Sequence, residues 1–217
     1  MRKFLVWDLP VRLFHWATAA LMLVLYLTAR WSRMDWHVWA GDALLALIIF
    51  RLLWGFVGSD TAHFSQFVRP PRAALQYLAG LLRRGPDDQL GHNAAGGWMV
   101  LAMLALLLAQ SLTGLFVLND VVNEGPFTEF VPAAVANAMT ELHDAVLWDL
   151  LVAAMAFHVL AVLAYALVKR HDLVRPMLTG RKWLPETTPR PRVAGPARAF
   201  LVLASAAGLA ALIADRL

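Results

Sequence analysis

Seven histidines are the side chains best suited to hold a metal in this chain of 217 residues. The sequence contains no cysteine, which excludes disulfides, thiolate-bound zinc, iron–sulfur clusters and covalently attached c-type haem. Any metal must therefore rest on histidine, methionine or carboxylate side chains. Four of the histidines lie within or beside long apolar stretches: His15, His37, His143 and His158. If those stretches span a membrane, an ionisable side chain inside them is costly and indicates a functional site.

The composition indicates that the apolar stretches do span a membrane. Apolar residues make up 60% of the chain and charged residues 16%, with a mean hydropathy of +0.59. Soluble domains are about 45–50% apolar and about 25% charged, so the sequence excludes an ordinary soluble domain and a disordered chain. We predict an all-α integral membrane protein with five spans, at about 11–30, 36–58, 97–118, 145–168 and 197–217. A Pro-rich linker at 183–196 separates the last span from a membrane domain over residues 1–182.

The basic residues predict how the chain sits in the membrane. The N-terminal segment and the loops after spans two and four hold 15 of the Lys and Arg residues, and the alternate segments hold 3. The positive-inside rule therefore places the N-terminus in the cytoplasm and, with five spans, the C-terminus outside. The net charge of +4 is then a sign of membrane topology rather than of nucleic-acid binding. A short interfacial helix is predicted on the cytoplasmic face at residues 72–84.

Depth in the membrane sorts the four histidines into two pairs. His37 and His143 fall near the outer surface, whereas His15 and His158 fall toward the cytoplasm. A separation of 15 residues along the fourth span corresponds to about 22 Å, so two metal levels fit within one membrane. Two histidines from different helices can hold one haem iron from both sides, which leaves no position open for substrate and suits an electron carrier. The alternative for each histidine is a packing residue with an ordinary hydrogen bond, but two matched pairs favour ligation.

Four motifs carry these histidines: WDLPVRLFHW (7–16), HVWAGDALLALIIFRLLWGFVG (37–58), ELHDAVL (141–147) and FHVLAVL (157–163). Together with GHNAAGGWMVL (91–101), TGLF (113–116) and HDLVRPMLTGRK (171–182), they resemble the bacterial cytochrome b561 family over roughly residues 5–182. That family includes the b-type cytochrome subunits of nickel–iron hydrogenases. The resemblance implies a four-helix transmembrane bundle in the inner membrane that binds two non-covalent b haems through the four histidines. The fifth helix lies outside the family core.

Other polar residues of the spans have candidate roles beside the predicted haems. Arg51 follows His37 by 14 residues, which places it near the inner haem, where it either pairs with a propionate or snorkels to the interface. Asp42 and Asp149 fall at the level of the outer pair, where they relay protons, hydrogen-bond a ligand histidine and so raise its basicity, or lie at water-exposed helix ends. His92, before the third span, is a weaker candidate for contact with quinone or a propionate.

These features predict a membrane cytochrome that carries electrons between quinone and an external redox protein, such as a c-type cytochrome or a hydrogenase-like subunit. The sequence leaves open whether the chain is itself a quinone-linked oxidoreductase or a subunit of one. It contains no dinucleotide-binding, P-loop or HExxH motif. The loop at 119–144 has a formal charge of −5, which predicts docking of a basic partner or simple solvation. The rival hypothesis is a haem-free transporter or scaffold in which the span His and Asp residues form a proton path.

Overall fold

Five long apolar helices dominate the computed structural model, which describes residues 1–80, 88–118 and 124–214. The structure is 73% helical. By length and composition, the stretches able to cross a membrane are Leu9–Arg30, Met34–Val57, Ala94–Gly114, Ala133–Lys169 and Pro196–Ala214. They confirm the prediction of an all-α integral membrane protein.

The helices are numbered in chain order. They are α1 Leu9–Arg30, α2 Met34–Val57, α3 Phe64–Phe67, α4 Pro71–Ala79, α5 Ala94–Gly114, α6 Ala133–Glu141, α7 Leu147–Ala164, α8 Val174–Thr179 and α9 Pro196–Ala214. Two π-helical turns, Leu142–Val146 and Tyr165–Lys169, flank α7. Single 3-10 turns occur at Asp60–Ala62 and Thr128–Phe130.

The chain forms two compact units, and several of the long helices contribute to both. The first unit comprises residues 1–13, 52–102 and 155–199, and the second comprises residues 14–51, 103–154 and 200–217. Large apolar side chains remain exposed on the spans of each unit, such as Leu160 at 62% in the first and Phe200 at 71% in the second. In a membrane protein these surfaces face lipid rather than water.

A small sheet and a buried carboxylate organise the first unit. Strands β1 (Arg2–Leu5) and β2 (Arg181–Leu184) pair antiparallel, with Arg2 opposite Leu184. The buried carboxylate of Asp8 begins α1: its Oδ1 accepts the backbone N–H of Val11 at 2.9 Å, and its Oδ2 accepts the indole N–H of Trp54 at 2.9 Å. This N-terminal cap satisfies a helix amide that would otherwise lack a partner.

Apolar side chains fill the centre of the second unit. Leu44, Ile48 and Leu151 are each at most 2% exposed. In the same unit, a tight turn joins α1 to α2. Within this turn, Ser32 has a positive φ of 54°, and Arg33 N–H donates to Thr28 O at 2.8 Å. This short connection keeps the end of α1 beside the first turn of α2, which carries His37.

Some element boundaries differ from those that hydropathy predicted. Helix α5 ends at Gly114 rather than at 118, because the apolar residues after it pair with a returning segment: Leu115 O accepts the N–H of Phe127 at 2.9 Å. The helical stretch that contains His143 begins at Ala133 rather than at 145. The interfacial helix α4 ends at Ala79, and the remainder of its predicted range, up to residue 84, lies almost wholly outside the described residues.

Candidate metal centre

His37 is held by the end of the preceding helix. It lies in the first turn of α2, and its Nδ1 is 3.1 Å from the carbonyl oxygen of Leu25 and 3.2 Å from the hydroxyl oxygen of Thr28. A carbonyl oxygen only accepts hydrogen bonds, so this contact requires the proton of the neutral imidazole to be on Nδ1. Nε2 then carries the lone pair that a metal needs.

His143 is held in the same way by a different helix. It lies in the π-helical turn Leu142–Val146, and its Nδ1 is 2.8 Å from the carbonyl oxygen of Gln110 in α5. The side chain of Gln110 donates in return to the backbone oxygen of His143 at 2.9 Å. A Cβ at Gly114 would lie 2.9 Å from Cε1 of His143, so the imidazole packs directly against bare backbone. Helical turns of the π type often mark functional sites.

A threonine three residues after each carbonyl completes a repeated arrangement. Thr28 donates to the oxygens of Val24 at 2.8 Å and Leu25 at 3.1 Å. Thr113 donates to the oxygens of residues 109 and 110 at 2.9 and 3.1 Å, and its Oγ1 is 3.4 Å from Nδ1 of His143. Both histidines therefore face one carbonyl and one threonine hydroxyl. These threonines and Gln110 were not predicted from the sequence; the only signal for Thr113 was its place at the start of the TGLF motif.

The two imidazoles lie at the distance expected for ligands of a single metal ion. The ring centres of His37 and His143 are 6.4 Å apart, and the ring planes are 81° apart. Two imidazoles that bind one ion from opposite sides, each through a bond of about 2.0–2.1 Å, have ring centres roughly 6 Å apart. The structure thus brings together the pair that the sequence placed at one depth.

The donor set suits a metal whose other ligands come from a macrocycle. Among the described residues, no group of three or more His, Cys, Asp or Glu side chains could hold an ion. A pair of histidines alone is too few ligands for a protein-bound zinc, but it would be enough to hold a haem, whose macrocycle would supply the other ligands of the iron. Beside His37, a Cβ at Gly41 would meet no protein atom within 4 Å, which leaves space for a flat ring on that face of α2.

The second predicted pair is divided between the two units. His15 is half-buried in α1 of the second unit, with its ring edge-on to Trp16 at 4.9 Å. One turn later, Thr18 is 9% exposed, and its hydroxyl oxygen has no hydrogen-bond partner among the described residues. His158 is half-buried in α7 of the first unit. The pairing of His15 with His158 stays a prediction.

Arg51 lies deep in the second unit. Its side chain is 2% exposed, although it carries a charge that is costly to remove from water. A snorkelling arginine would keep its guanidinium at the surface. The burial argues against snorkelling, and the pairing of Arg51 with a haem propionate stays a prediction.

His92 packs among aromatic rings in the first unit. Its ring centre is 4.5 Å from that of Trp7 and 4.8 Å from that of Phe67. Gly97 lies close by, and a Cβ there would be 2.5 Å from the backbone oxygen of Phe67. His92 is therefore surrounded as a packed side chain would be, and these contacts give no support to its predicted contact with quinone.

A hydrogen-bonded chain of polar side chains lies in the same unit and was not predicted. Asn93 donates to the hydroxyl of Tyr165 at 2.8 Å, and Tyr165 donates to the hydroxyl of Tyr77 at 2.8 Å. The ammonium of Lys169 lies 5.5 Å from the ring centre of Tyr77, within cation–π distance. These contacts join α4, the residue before α5 and the π-helical turn that follows α7.

Comparison with known proteins agrees with this geometry. The family described as prokaryotic cytochrome b561 matches residues 6–180, which is most of the chain and includes all four predicted ligands. No curated protein and no solved structure matches the chain. Five helices of membrane-spanning length and a facing pair of histidines accompany that match. The chain belongs to the prokaryotic cytochrome b561 family and is a membrane b-type cytochrome of electron transfer.

Proposed function

We propose that the chain carries electrons across the bacterial cytoplasmic membrane through two b haems, between the quinone pool and an external redox protein. The observation that carries this proposal is the His37–His143 pair, with ring centres 6.4 Å apart and each Nδ1 facing a backbone carbonyl. His15 and His158 are the proposed ligands at the second level. Haem b, when bound, takes up and releases one electron at its iron.

The protein's part is to hold the imidazoles in one tautomer and one orientation. The Nδ1–H bond to a carbonyl fixes the lone pair on Nε2 and makes that nitrogen a better donor to a metal. Two histidine ligands would leave no open position on a haem iron, so substrate would not reach the metal. Quinone would then need a pocket formed by protein beside the macrocycle, where it could exchange electrons.

For that quinone pocket we favour the outer surface around Asp42 and Asp149 over the inner surface around Arg51 and His92. Asp149 is exposed and Asp42 half-buried, so both carboxylates can exchange the protons that quinone chemistry requires. Asp42→Asn and Asp149→Asn should slow quinone reduction without changing the haem spectrum. Unchanged rates in both variants, together with a slowed His92→Ala, would place the pocket on the inner side.

The test of the proposed function is the haem content of purified full-length protein. We expect a reduced-minus-oxidised spectrum of b type and about two haems per chain. His37→Ala and His143→Ala should each remove the same haem, and His15→Ala and His158→Ala should each remove the other. Redox titration distinguishes the two haems wherever their potentials differ.

Two results would overturn the proposal. A well-folded, colourless protein would favour the rival function of a haem-free transporter or scaffold with a His and Asp proton path. Loss of different haems by the two members of a pair would refute the pairing. His171→Ala is the control, because this histidine of the first unit lies outside both proposed pairs and should leave both haems in place.

A further inference from the structure

A polar cavity lies at the end of one predicted membrane span and the start of another, and none of the four proposed ligands lines it. It belongs to the first unit, between the end of α2 and the start of α9, and its volume is about 370 Å³. Its ionisable lining residues are Asp60, His63, Arg192 and Arg198. This volume is at the lower end of the about 300–1,000 Å³ typical of small-ligand sites.

The walls of this cavity are held by hydrogen bonds between the linker and the end of α2. Asp60 and Arg192 exchange two of them: Asp60 N–H donates to Arg192 O at 3.1 Å, and Arg192 N–H donates to Asp60 Oδ2 at 2.8 Å. Ala194 N–H donates to the hydroxyl oxygen of Ser59 at 3.0 Å. The Pro-rich linker is therefore fixed in place here.

The cationic groups of the cavity have donors to spare. Within the described part of the chain, neither Arg192 nor Arg198 forms an ion pair with a carboxylate. Arg198 uses one N–H of its guanidinium on the backbone oxygen of residue 57, at 3.2 Å, and a guanidinium has five. Asp60 is the one acid in the lining, and its Oδ2 is already engaged by a backbone amide, so the lining keeps a net positive charge.

A further feature of the lining points to an anion. Gly195 and Arg198 of the lining lie at the start of α9, where the amide groups of Ala197 and Arg198 have no acceptor within the helix and favour negative charge. Donors of this kind match the oxygens of a phosphate, which arginine binds with two parallel hydrogen bonds.

We propose that this cavity binds the headgroup phosphate of an anionic phospholipid. A lipid is favoured over free phosphate because the cavity lies at the end of α2 and the start of α9, two helices long and apolar enough to cross a membrane, which would put it near the headgroups. Basic pockets between spans at the cytoplasmic surface bind such headgroups, and the basic residues predict that this surface is cytoplasmic. The bound lipid would join the end of α2 to the start of the fifth helix. This inference is independent of the haem proposal.

The test measures binding of phosphatidylglycerol and of phosphatidylcholine to full-length protein in neutral detergent, by native mass spectrometry. Phosphatidylglycerol should bind at least tenfold more tightly than phosphatidylcholine. Arg192→Gln/Arg198→Gln should weaken phosphatidylglycerol binding about thirtyfold, as expected for two lost charges near a membrane surface. Arg192→Lys/Arg198→Lys, which keeps the charge, should restore most of the affinity.

A matched control is Arg69→Gln/Arg175→Gln, which removes two exposed arginines of the same unit that do not line the cavity. It should leave the affinity unchanged. Arg192→Gln alone keeps the backbone bonds to Asp60, so it still tests the site if the double variant does not fold. Equal loss in the control, or equal binding of both lipids, would overturn the proposal. Displacement of the lipid by millimolar inorganic phosphate would overturn it in favour of a free-phosphate site.

Discussion

At the scale of single residues, the centre around His37 and His143 depends on contacts that leave the metal-binding nitrogen untouched. Each Nδ1 faces a backbone carbonyl on a neighbouring helix, and each carbonyl also accepts a threonine hydroxyl. A histidine ligand needs a defined tautomer and ring orientation, and partners outside the metal's own ligand set supply both. Thr28 and Thr113 are therefore expected to matter for haem binding without touching the haem.

Thr28→Val and Thr113→Val test this expectation. The change keeps side-chain shape but removes the hydroxyl at 3.2 or 3.4 Å from Nδ1, so the imidazole loses one of its two partners. Loss of such a partner costs about 10–100-fold in metal affinity. We expect haem to transfer correspondingly faster to a competing haem-binding protein, with a shifted midpoint potential for the affected haem.

Serine at the same positions should restore haem retention, because it keeps the hydroxyl. Thr179→Val is the matched control: this exposed threonine also bonds the carbonyl four residues before it, but it contacts no histidine. Retention equal to that of the control in both valine variants would show that the hydroxyls do not position the ligands.

At the scale of elements, one face of α2 is expected to lie against the macrocycle. Gly41 follows His37 by one turn, and a Cβ there would meet no protein atom within 4 Å. Gly41→Leu should therefore be accepted by the protein fold yet exclude a flat ring. We expect loss of the haem held by His37 and His143, measured as haem per chain, with little change in the far-ultraviolet circular dichroism of the folded protein.

Gly208→Leu is the control for that variant. Gly208 lies in α9, and a Cβ there also meets nothing within 4 Å. In both variants leucine replaces a helical glycine next to open space, so both variants gain the same helix propensity. Full haem content in the Gly41 variant would place the macrocycle on another side of the two imidazoles.

The connection between α5 and α6 carries the acidic residues expected to receive an external partner. Glu124 and Glu129 are exposed, whereas Asp120 of the same predicted loop lies outside the described residues. Complementary charge mainly speeds encounter, and salt screens it over about 8 Å at physiological ionic strength. Electron transfer to a small c-type cytochrome with a lysine-rich rim should slow as salt rises, and Glu124→Gln/Glu129→Gln should flatten that dependence.

Asp88→Asn serves as the control for the loop variant, because Asp88 is exposed and predicted to lie on the cytoplasmic side. Stopped-flow measurement over a range of salt concentrations gives the slope for each protein. A rate indifferent to salt in the unaltered protein would leave the acidic residues as solvating groups only and would point to a neutral or acidic partner.

At the scale of the whole molecule, the imbalance of basic residues predicts the direction of the chain in the membrane. With 15 Lys and Arg residues on one set of segments and 3 on the other, both the N-terminus and the linker should be cytoplasmic. A phosphatase fused after Leu217 should be active outside, and the same enzyme fused within the linker, after Arg190, should be inactive. The reverse activities would invert the proposed topology.

Much of the fold class was readable from the sequence, but the ends of the elements were less so. The length of an apolar run does not depend on how the chain packs, and the predicted runs appear in the structure as helices long enough to span a membrane. Helix α5 ends early because Leu115 O bonds the returning residue Phe127, a contact that hydropathy does not encode. The β1–β2 pairing was also missed, since its partners are about 180 residues apart in the chain.

The sequence by itself determined the family and the membrane class, and it predicted which histidines hold haem, because span length, residue type and motif order can be read from the residues in their order along the chain. Only the tertiary structure decided what holds those histidines. The partner of His143 is a carbonyl 33 residues away, on another helix, and every residue has such a carbonyl. Which one faces the imidazole depends on how the helices turn toward each other and on the π-helical turn that contains His143. For the same reason the basic cavity beside α9 became visible only once the linker was fixed against the end of α2.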